Sequence, residues 1–396
     1  GSDIFARVFD PCSMSRDFHR APTGESLILA LTVLAASACS MRPEMERAAP
    51  ATPACPGEGL GRAVEAPDTT QLQWYRAAGE RDVSLASQWC ATVDEPVLQL
   101  TPASTFSSWE PNQGLEIISW NMEVGEGNLY RMLREEFGLD CSAARPSVRS
   151  GRPPFVVLLQ EVWRYSASMP QVEGSSVVPR VIDLERETGP NSDIVVAAKA
   201  CGLALVYVPS ARNGADDSAR SDQDKGNAIL STLPLSTPIA MDLPLEGGRK
   251  VAVAATVYGP GGQRVRVMSV QLDAVSTLVR TLLSGNQTRA RQTNGLIDAI
   301  DRAENDGPLT AVNLIGGDFN TWTSTEYSLK LMRQAFPESP EWDGLDTRGS
   351  FPMDHIFFRR KSFTMYSVDG YRRLEDSYGS DHTGRGVTLR YTAPTG

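Results

Sequence analysis

Histidine is nearly missing from this chain: 396 residues contain three, His19, His355 and His382. The six cysteines, Cys12, Cys39, Cys55, Cys90, Cys141 and Cys201, show none of the close paired spacing that builds a zinc site, which argues against a zinc-finger type of metal cage. Positive charge is not in excess either. With 38 Lys and Arg against 48 Asp and Glu the formal net charge is −10, which argues against affinity gained mainly by neutralising a phosphate backbone. A nuclease survives that argument, because a bound divalent cation supplies positive charge where the phosphate sits. No internal repeat is present. At 41% hydrophobic residues the chain is nonetheless able to bury a large core.

The uncharged apolar run "SLILALTVLAASAC", Ser26 to Cys39, is shorter than the roughly 20 residues that span a bilayer. Preceded by Arg16 and Arg20 and followed by polar, Pro-rich sequence, it reads as a signal-peptide core. Small residues ending at Cys39 are similar to a bacterial lipoprotein cleavage box, although Ala36 stands where Leu is usual. Ordinary secretion and a buried core helix are the alternatives. Residues 1–13 look like no targeting segment, which makes Met14 a candidate start. The expectation is an exported protein: a periplasmic or outer-membrane lipoprotein, or a secreted one, held to the membrane by an N-terminal lipid where processed at Cys39, and monomeric. Residues 1–39 are then the signal segment, 40–69 a flexible Pro/Ala-rich tether, 70–110 an appendage and 111–396 the main domain. In an oxidising compartment, pairing Cys55 with Cys90 and Cys141 with Cys201 keeps each bridge within one region; buried free thiols are the other reading.

From Leu115 onward short β-rich runs recur: "LEIISWNM", "FVVLLQEV", "LALVYVPS", "GNAILST", "KVAVAATVYG", "RVRVMSVQLD", "AVNLIGGDFN", "MDHIFF" and "GVTLRY". Helical candidates lie between them, at Asn128 to Phe137, Val181 to Cys201, Ser276 to Ala303 and Thr325 to Ala335, the last opening on the cap-like "TSTE". Many strands with few helices imply two packed sheets with helices outside.

Several runs end in polar groups that a core would not choose. Asn121 and Glu123, Gln271 and Asp273, and Asp318 and Asn320 are each two apart, a spacing that shares one face of a strand. "VVLLQEVW" runs through four apolar residues into Gln160 and Glu161. One such ending is an ordinary solvated strand end; four together predict a common rim.

In order and spacing, "SWN", "LLQEV", "GNAILS", "GGDFNTW", "MDHIFF" and "GSDH" resemble the endonuclease/exonuclease/phosphatase superfamily from about Leu115 to Tyr391. The resemblance implies an α+β fold, a four-layered α/β sandwich of two mixed β-sheets flanked by helices, with the site where the sheets open at one end. It implies Mg²⁺-dependent hydrolysis of a phosphoester by in-line attack of water, Mn²⁺ being an alternative ion. Glu161 matches the principal metal ligand, with Asn121 and Glu123 beside it. Asp318 matches the aspartate that orients or deprotonates the water, Asn320 the asparagine that helps hold the phosphate, and Asp381 and His382 the terminal pair. Asp381 either orients His382 or joins the metal shell. The resemblance implies that Asp354 faces the rim, and strand alternation then turns His355 into packing or solvent. Arg212, in the polar stretch "PSARNGADDSARSDQDKG", and Asn227 of "GNAILS" are candidate substrate-binding residues.

Oxygen chemistry supports the metal assignment independently, since Mg²⁺ prefers oxygen ligands, keeps several waters and needs only one or two carboxylates. Gln271 is a departure: the sphingomyelinase-like and many phosphatase branches carry histidine there, and glutamine donates a hydrogen bond but carries no proton or charge. Gln271 and the acidic surface leave a second reading open, a non-catalytic binding lipoprotein on the same fold. Nucleic acid, sugar phosphate and lipid head group all offer the same phosphoester. The polar stretch lacks the apolar residues of a membrane-inserting loop, and no basic stripe for duplex DNA is evident. Lipoprotein processing is expected to leave Cys39 as the diacylated first residue; mass spectrometry of the mature N-terminus checks this, and an unmodified terminus elsewhere would overturn it.

Overall fold

The computed structural model describes residues 45–47, 62–63, 72–77, 84, 92–103, 109–143, 146, 148, 151–169, 193–213, 223–245, 248–274, 286–362 and 364–392. Fifteen strands among them form two sheets. The strands are β1 (Met45–Arg47), β2 (Arg62–Ala63), β3 (Gln73–Ala77), β4 (Val97–Gln99), β5 (Leu115–Asn121), β6 (Phe155–Tyr165), β7 (Ala204–Asn213), β8 (Gln223–Ser231), β9 (Ser236–Asp242), β10 (Val251–Tyr258), β11 (Arg264–Gln271), β12 (Val312–Asp318), β13 (Asp354–Arg360), β14 (Tyr366–Arg373) and β15 (Arg385–Tyr391). One sheet runs β1-β3-β9-β10-β11-β12-β13 and the other β14-β15-β5-β6-β8-β7-β4-β2. Both are mixed: β5 is parallel to β6 and β11 to β12, while β6 and β8 and β12 and β13 pair antiparallel.

Strand alternation gives each sheet two apolar faces, and both are used. Between the sheets Ile117, Leu158, Val206 and Ile229 meet Val253, Val267, Leu314 and Ile356. The outer face of the first sheet, through Ala254, Met268 and Ile315, packs on α3 (Asn286–Asp306) and α4 (Tyr327–Ala335). The outer face of the second, through Ile118, Trp120 and Leu159, packs on α1 (Leu129–Phe137) and α2 (Ile194–Cys201). Helix, sheet, sheet, helix is the four-layered sandwich. The ends of α1 and α2 follow from local chemistry. Asn128 caps α1 by accepting from the Arg131 amide, Asp193 caps α2, and Gly138 and Gly202 close both helices in the left-handed conformation.

Two boundaries differ from the sequence reading. Residues 40–69, read as a tether, supply β1, which pairs antiparallel with β3, and β2, which pairs parallel with β4. Residues 70–110, read as an appendage, supply β3 and β4, which extend the two sheets beside β9 and β7. Backbone pairing at a sheet edge needs no long apolar pattern, so composition did not announce it. In the last helical candidate the cap differs too: Glu326 occupies the cap position, but its carboxylate accepts from Arg289 and from the Trp322 amide instead. The signal segment with Cys39, the Cys55–Cys90 pairing, the first part of the Val181 to Cys201 helix and residues 276–285 lie outside the described residues. No helix among the described residues is long and apolar enough to cross a membrane.

Cys141 and Cys201 are joined in a disulfide that closes a 60-residue separation, tying the loop after α1 to the end of α2. Closing a loop of that size restricts the unfolded chain by about 4 kcal/mol on the chain-entropy account. Cys201→Ser is expected to lower unfolding free energy by about 2–5 kcal/mol, measured by urea denaturation under non-reducing conditions. An unchanged midpoint and slope would show that the bridge carries no stability.

Candidate active site

β5, β11 and β12 end, β6 bends and β13 begins at the same edge of the sandwich, and their polar residues meet there. Asp318 is the hub. It is 1% exposed, and its Oδ2 accepts from Asn121 Nδ2 at 3.0 Å and from Asn320 Nδ2 at 3.0 Å, with Gln271 Nε2 at 3.5 Å. Oδ1 accepts the Asn320 backbone amide at 2.8 Å. Asp318 faces Asp354 in the β12–β13 register and Gln271 in the β11–β12 register, so sheet pairing alone sets three of these side chains side by side. Gly317 makes that pairing tight: a Cβ there would lie 2.1 Å from the Val270 carbonyl oxygen.

Strand spacing was a poor guide to Glu123 and Asn320. Both strands stop at the first residue of each pair, and Glu123 (φ 48°) and Asn320 (φ 50°) adopt the left-handed backbone region. The turn brings Asn320 back onto its own strand end, where Nδ2 also donates to the Leu272 carbonyl at 2.9 Å. Asn121 Oδ1 accepts the Glu123 amide at 2.9 Å, and Glu123 Oε2 in turn accepts the Asp381 amide at 2.8 Å. Asp273 turns away to the Gln292 side chain of α3.

Glu161 is not at a strand end. β6 continues to Tyr165, and the register against β8 shifts between Leu159 and Val162, a bulge in which Glu161 takes φ 51°. Gln160 points between the sheets, where Nε2 donates to Ser269 Oγ at 2.8 Å. The bulge turns the next residue to the rim, where Glu161 Oε1 accepts from Gln271 Nε2 at 2.5 Å and Oε2 lies 3.8 Å from Lys225 Nζ. Burial alone would raise the Glu161 pKa, but Lys225, Lys250, the Gln271 hydrogen bond and His382 outweigh it and bring it to about 2. Asp318 goes the other way: burial, with Asp354 and Glu161 adding their charge, lifts it to about 6 against the pull of His382 and the Asn320 amide.

His382 is 1% exposed. Its Nδ1 hydrogen-bonds Asp354 Oδ2 at 2.8 Å and its Nε2 lies 3.7 Å from Asp381 Oδ1. Burial opposes its charge, yet Asp354 and Asp318 hold the imidazole protonated and push its pKa up to about 10. Ser380 fixes the turn, donating to the Asn121 carbonyl and accepting from the His382 amide. Asp381 pairs with Arg348, which the sequence reading did not include. His355 faces the opposite side of β13, with Nε2 2.7 Å from the Pro352 carbonyl and its ring beside Phe319 and Phe357; burial lowers its pKa to about 4.

The two substrate-binding candidates lie on β7 and β8. Arg212 is buried on β7 opposite Asp224 in the β7–β8 register, and much of the polar stretch around it lies outside the described residues. Asn227 is buried with its amide donating to the Val251 carbonyl at 2.6 Å, a tie between the two sheets. Lys250, which donates to Gln271 Oε1 at 3.0 Å, was also missed. Its only signal was a cation opening the otherwise apolar run "KVAVAATVYG".

Among the described residues Asp318, Asp354 and His382 lie close enough to hold an ion, their ligand atoms all within 4.8 Å of one another. A metal there would have to displace the proton shared by His382 and Asp354. Glu161 fits a hard dication better: it is an ionised, partly exposed oxygen donor, with Asn121 and Glu123 alongside.

The model of the "Endonuclease/Exonuclease/phosphatase family" matches residues 118–382, and the chain belongs to that family. It is accordingly a phosphoesterase, of a class that hydrolyses phosphoesters with a divalent metal. No curated protein matches in sequence. Solved structures similar to the chain include an endonuclease/exonuclease/phosphatase from Beutenbergia cavernae (15% identity, 72% of this chain and 74% of that chain, TM-score 0.45). The human nocturnin catalytic domain with bound sulfate is 17% identical over 71% of this chain and 95% of that chain, at TM-score 0.45. Sphingomyelinase C from Streptomyces griseocarneus is 16% identical over 69% and 99%, at TM-score 0.41.

The His382–Asp354 pair has a definite pH signature. Because the folded pKa of about 10 exceeds the ordinary 6.5, its stabilisation is complete below about pH 6.5 and is lost as pH rises through about 10. Asp354→Asn is expected to cost about 3–5 kcal/mol at pH 6, as for a broken buried pair, and progressively less toward pH 10. Urea denaturation across that range checks it; a cost that does not vary with pH would show that the pair is not ionic.

Proposed function

We propose that the protein is an exported, Mg²⁺-dependent phosphoesterase in which water attacks phosphorus in line. The observation that carries this reading is the convergence on one rim of two carboxylates with opposite proton affinities, Glu161 at about 2 and Asp318 at about 6, beside a protonated His382. Such a split separates a permanent anion from a group that exchanges protons near neutrality.

Glu161, with Asn121 and Glu123 beside it, would hold the cation. The bound dication offsets charge that develops on the phosphoryl group. Asp318, fixed by Asn121 and Asn320, takes the proton of the attacking water, and His382 Nε2 donates toward the phosphoryl oxygens. Asp354 keeps Nδ1 of that imidazole occupied, so Nε2 is the donor that faces the substrate. The apolar run ending at Cys39 supports export with a lipid anchor.

A base with a pKa of about 6 gives a rate that falls about tenfold per pH unit below 6 and is level above it. The test is hydrolysis of bis(p-nitrophenyl) phosphate with Mg²⁺ from pH 4.5 to 8, alongside Asp318→Asn. The variant is expected to lose a factor of about 10² to 10⁴. Equal rates in the two proteins would overturn the reading, and a flat profile in the wild type would remove Asp318 as the base.

A further inference from the structure

Lys250 stands immediately before β10, and its backbone is anchored from two sides. The Lys250 carbonyl accepts the Leu243 amide at 2.9 Å, and the next carbonyl, that of Val251, accepts Asn227 Nδ2 at 2.6 Å across the sheets. The side chain reaches the rim, where Nζ donates to Gln271 Oε1 at 3.0 Å. An ammonium only donates, and a glutamine amide has one accepting oxygen and one donating NH₂. With the oxygen held by Lys250, the NH₂ is directed at Glu161 Oε1, at 2.5 Å, and toward Asp318 Oδ2, at 3.5 Å. Cation, amide and two carboxylates are thus linked in series, each donor polarised by the one before it.

We propose that Lys250 is a positioning residue of the hydrolytic site, acting through Gln271: it fixes and polarises the amide that bridges Glu161 and Asp318. This rests on the phosphoesterase reading above. Gln271 is then one half of a two-residue device rather than a weakened histidine. The lysine brings positive charge, and the glutamine brings an N–H donor that does not ionise. A protonated imidazole would combine both in one side chain but would lose its charge as pH rises through its ordinary range near 6.5. Lys225, 3.8 Å from the other oxygen of Glu161, adds a second cation to the same carboxylate without touching the amide, which makes it a natural control.

The experiment compares wild type, Lys250→Met, Lys250→Arg, Gln271→Ala and the Lys250→Met/Gln271→Ala double variant in Mg²⁺-dependent hydrolysis of bis(p-nitrophenyl) phosphate. Lys250→Met is expected to lower kcat by about tenfold or more, the loss of a charge-assisted contact, with KM within about threefold. Lys250→Arg should recover most of the rate. In the Gln271→Ala background the methionine substitution should cost clearly less than in the wild-type background, since only the direct charge of the lysine on Glu161 is then removed. Should the methionine variant not fold, Lys250→Gln, uncharged and polar at this half-buried position, makes the same comparison. An active wild type with Lys250→Met equally active, or with the same loss in both backgrounds, overturns this inference alone. A wild type with no Mg²⁺-dependent hydrolysis overturns the phosphoesterase reading and this inference with it.

Discussion

A carboxylate buried among amide donors organises this molecule. Asp318 lies at the end of β12, between β11 and β13, and neither sheet alone could solvate it. Asn121 arrives from the second sheet, Asn320 from the turn after β12, and Gln271 from the neighbouring β11. An ionised group taken from water needs such donors, and the donors are satisfied only while both sheets keep their register. Sandwich packing and site geometry are therefore one constraint. The same rim explains Gln160, whose side chain links Ser269 of the opposite sheet just beneath the site.

Around that hub, environment assigns different proton affinities to residues of one chemical type. Glu161 has two lysines nearby and stays ionised, whereas Asp318 has neutral amides nearby, other carboxylates a little further off, and little water. His382 keeps its proton because the charges of Asp354 and Asp318 favour the imidazolium although burial opposes it. The −10 net charge of the whole chain says nothing about this arrangement, in which cations sit close to the acidic groups.

Backbone strain concentrates in the same region. Of the six non-glycine residues with positive φ among the described residues, Glu123, Val124, Glu161 and Asn320 belong to the site or adjoin it. Each left-handed residue of this kind costs about 1–3 kcal/mol and persists only where its surroundings hold it. Here the strain has a geometric result, since it turns Glu161, Glu123 and Asn320 in directions that regular strand alternation would not allow.

The two-sheet sandwich and the strands β5 to β8, β10 to β13 and β15 were legible in sequence because short apolar runs stop abruptly at polar side chains, and those stops recur in a family's order, whereas β9 and β14 were not singled out. The edge strands β1 to β4 were not legible, because edge pairing uses backbone groups that every residue carries. Sequence also misdirected the spacing argument: Asn121 with Glu123, and Asp318 with Asn320, were read as strand pairs, yet the second member of each sits in a left-handed turn. Lys250, Arg348 and the tie from Asn227 to Val251 emerged only from the tertiary structure. Their partners are 21, 33 and 24 residues away in the chain respectively, and no local pattern encodes which side chain lies across a sheet. Residue identity determined what chemistry the rim could perform; the packing of two twisted sheets decided which carboxylate keeps its charge, which holds its proton, and which cation faces it.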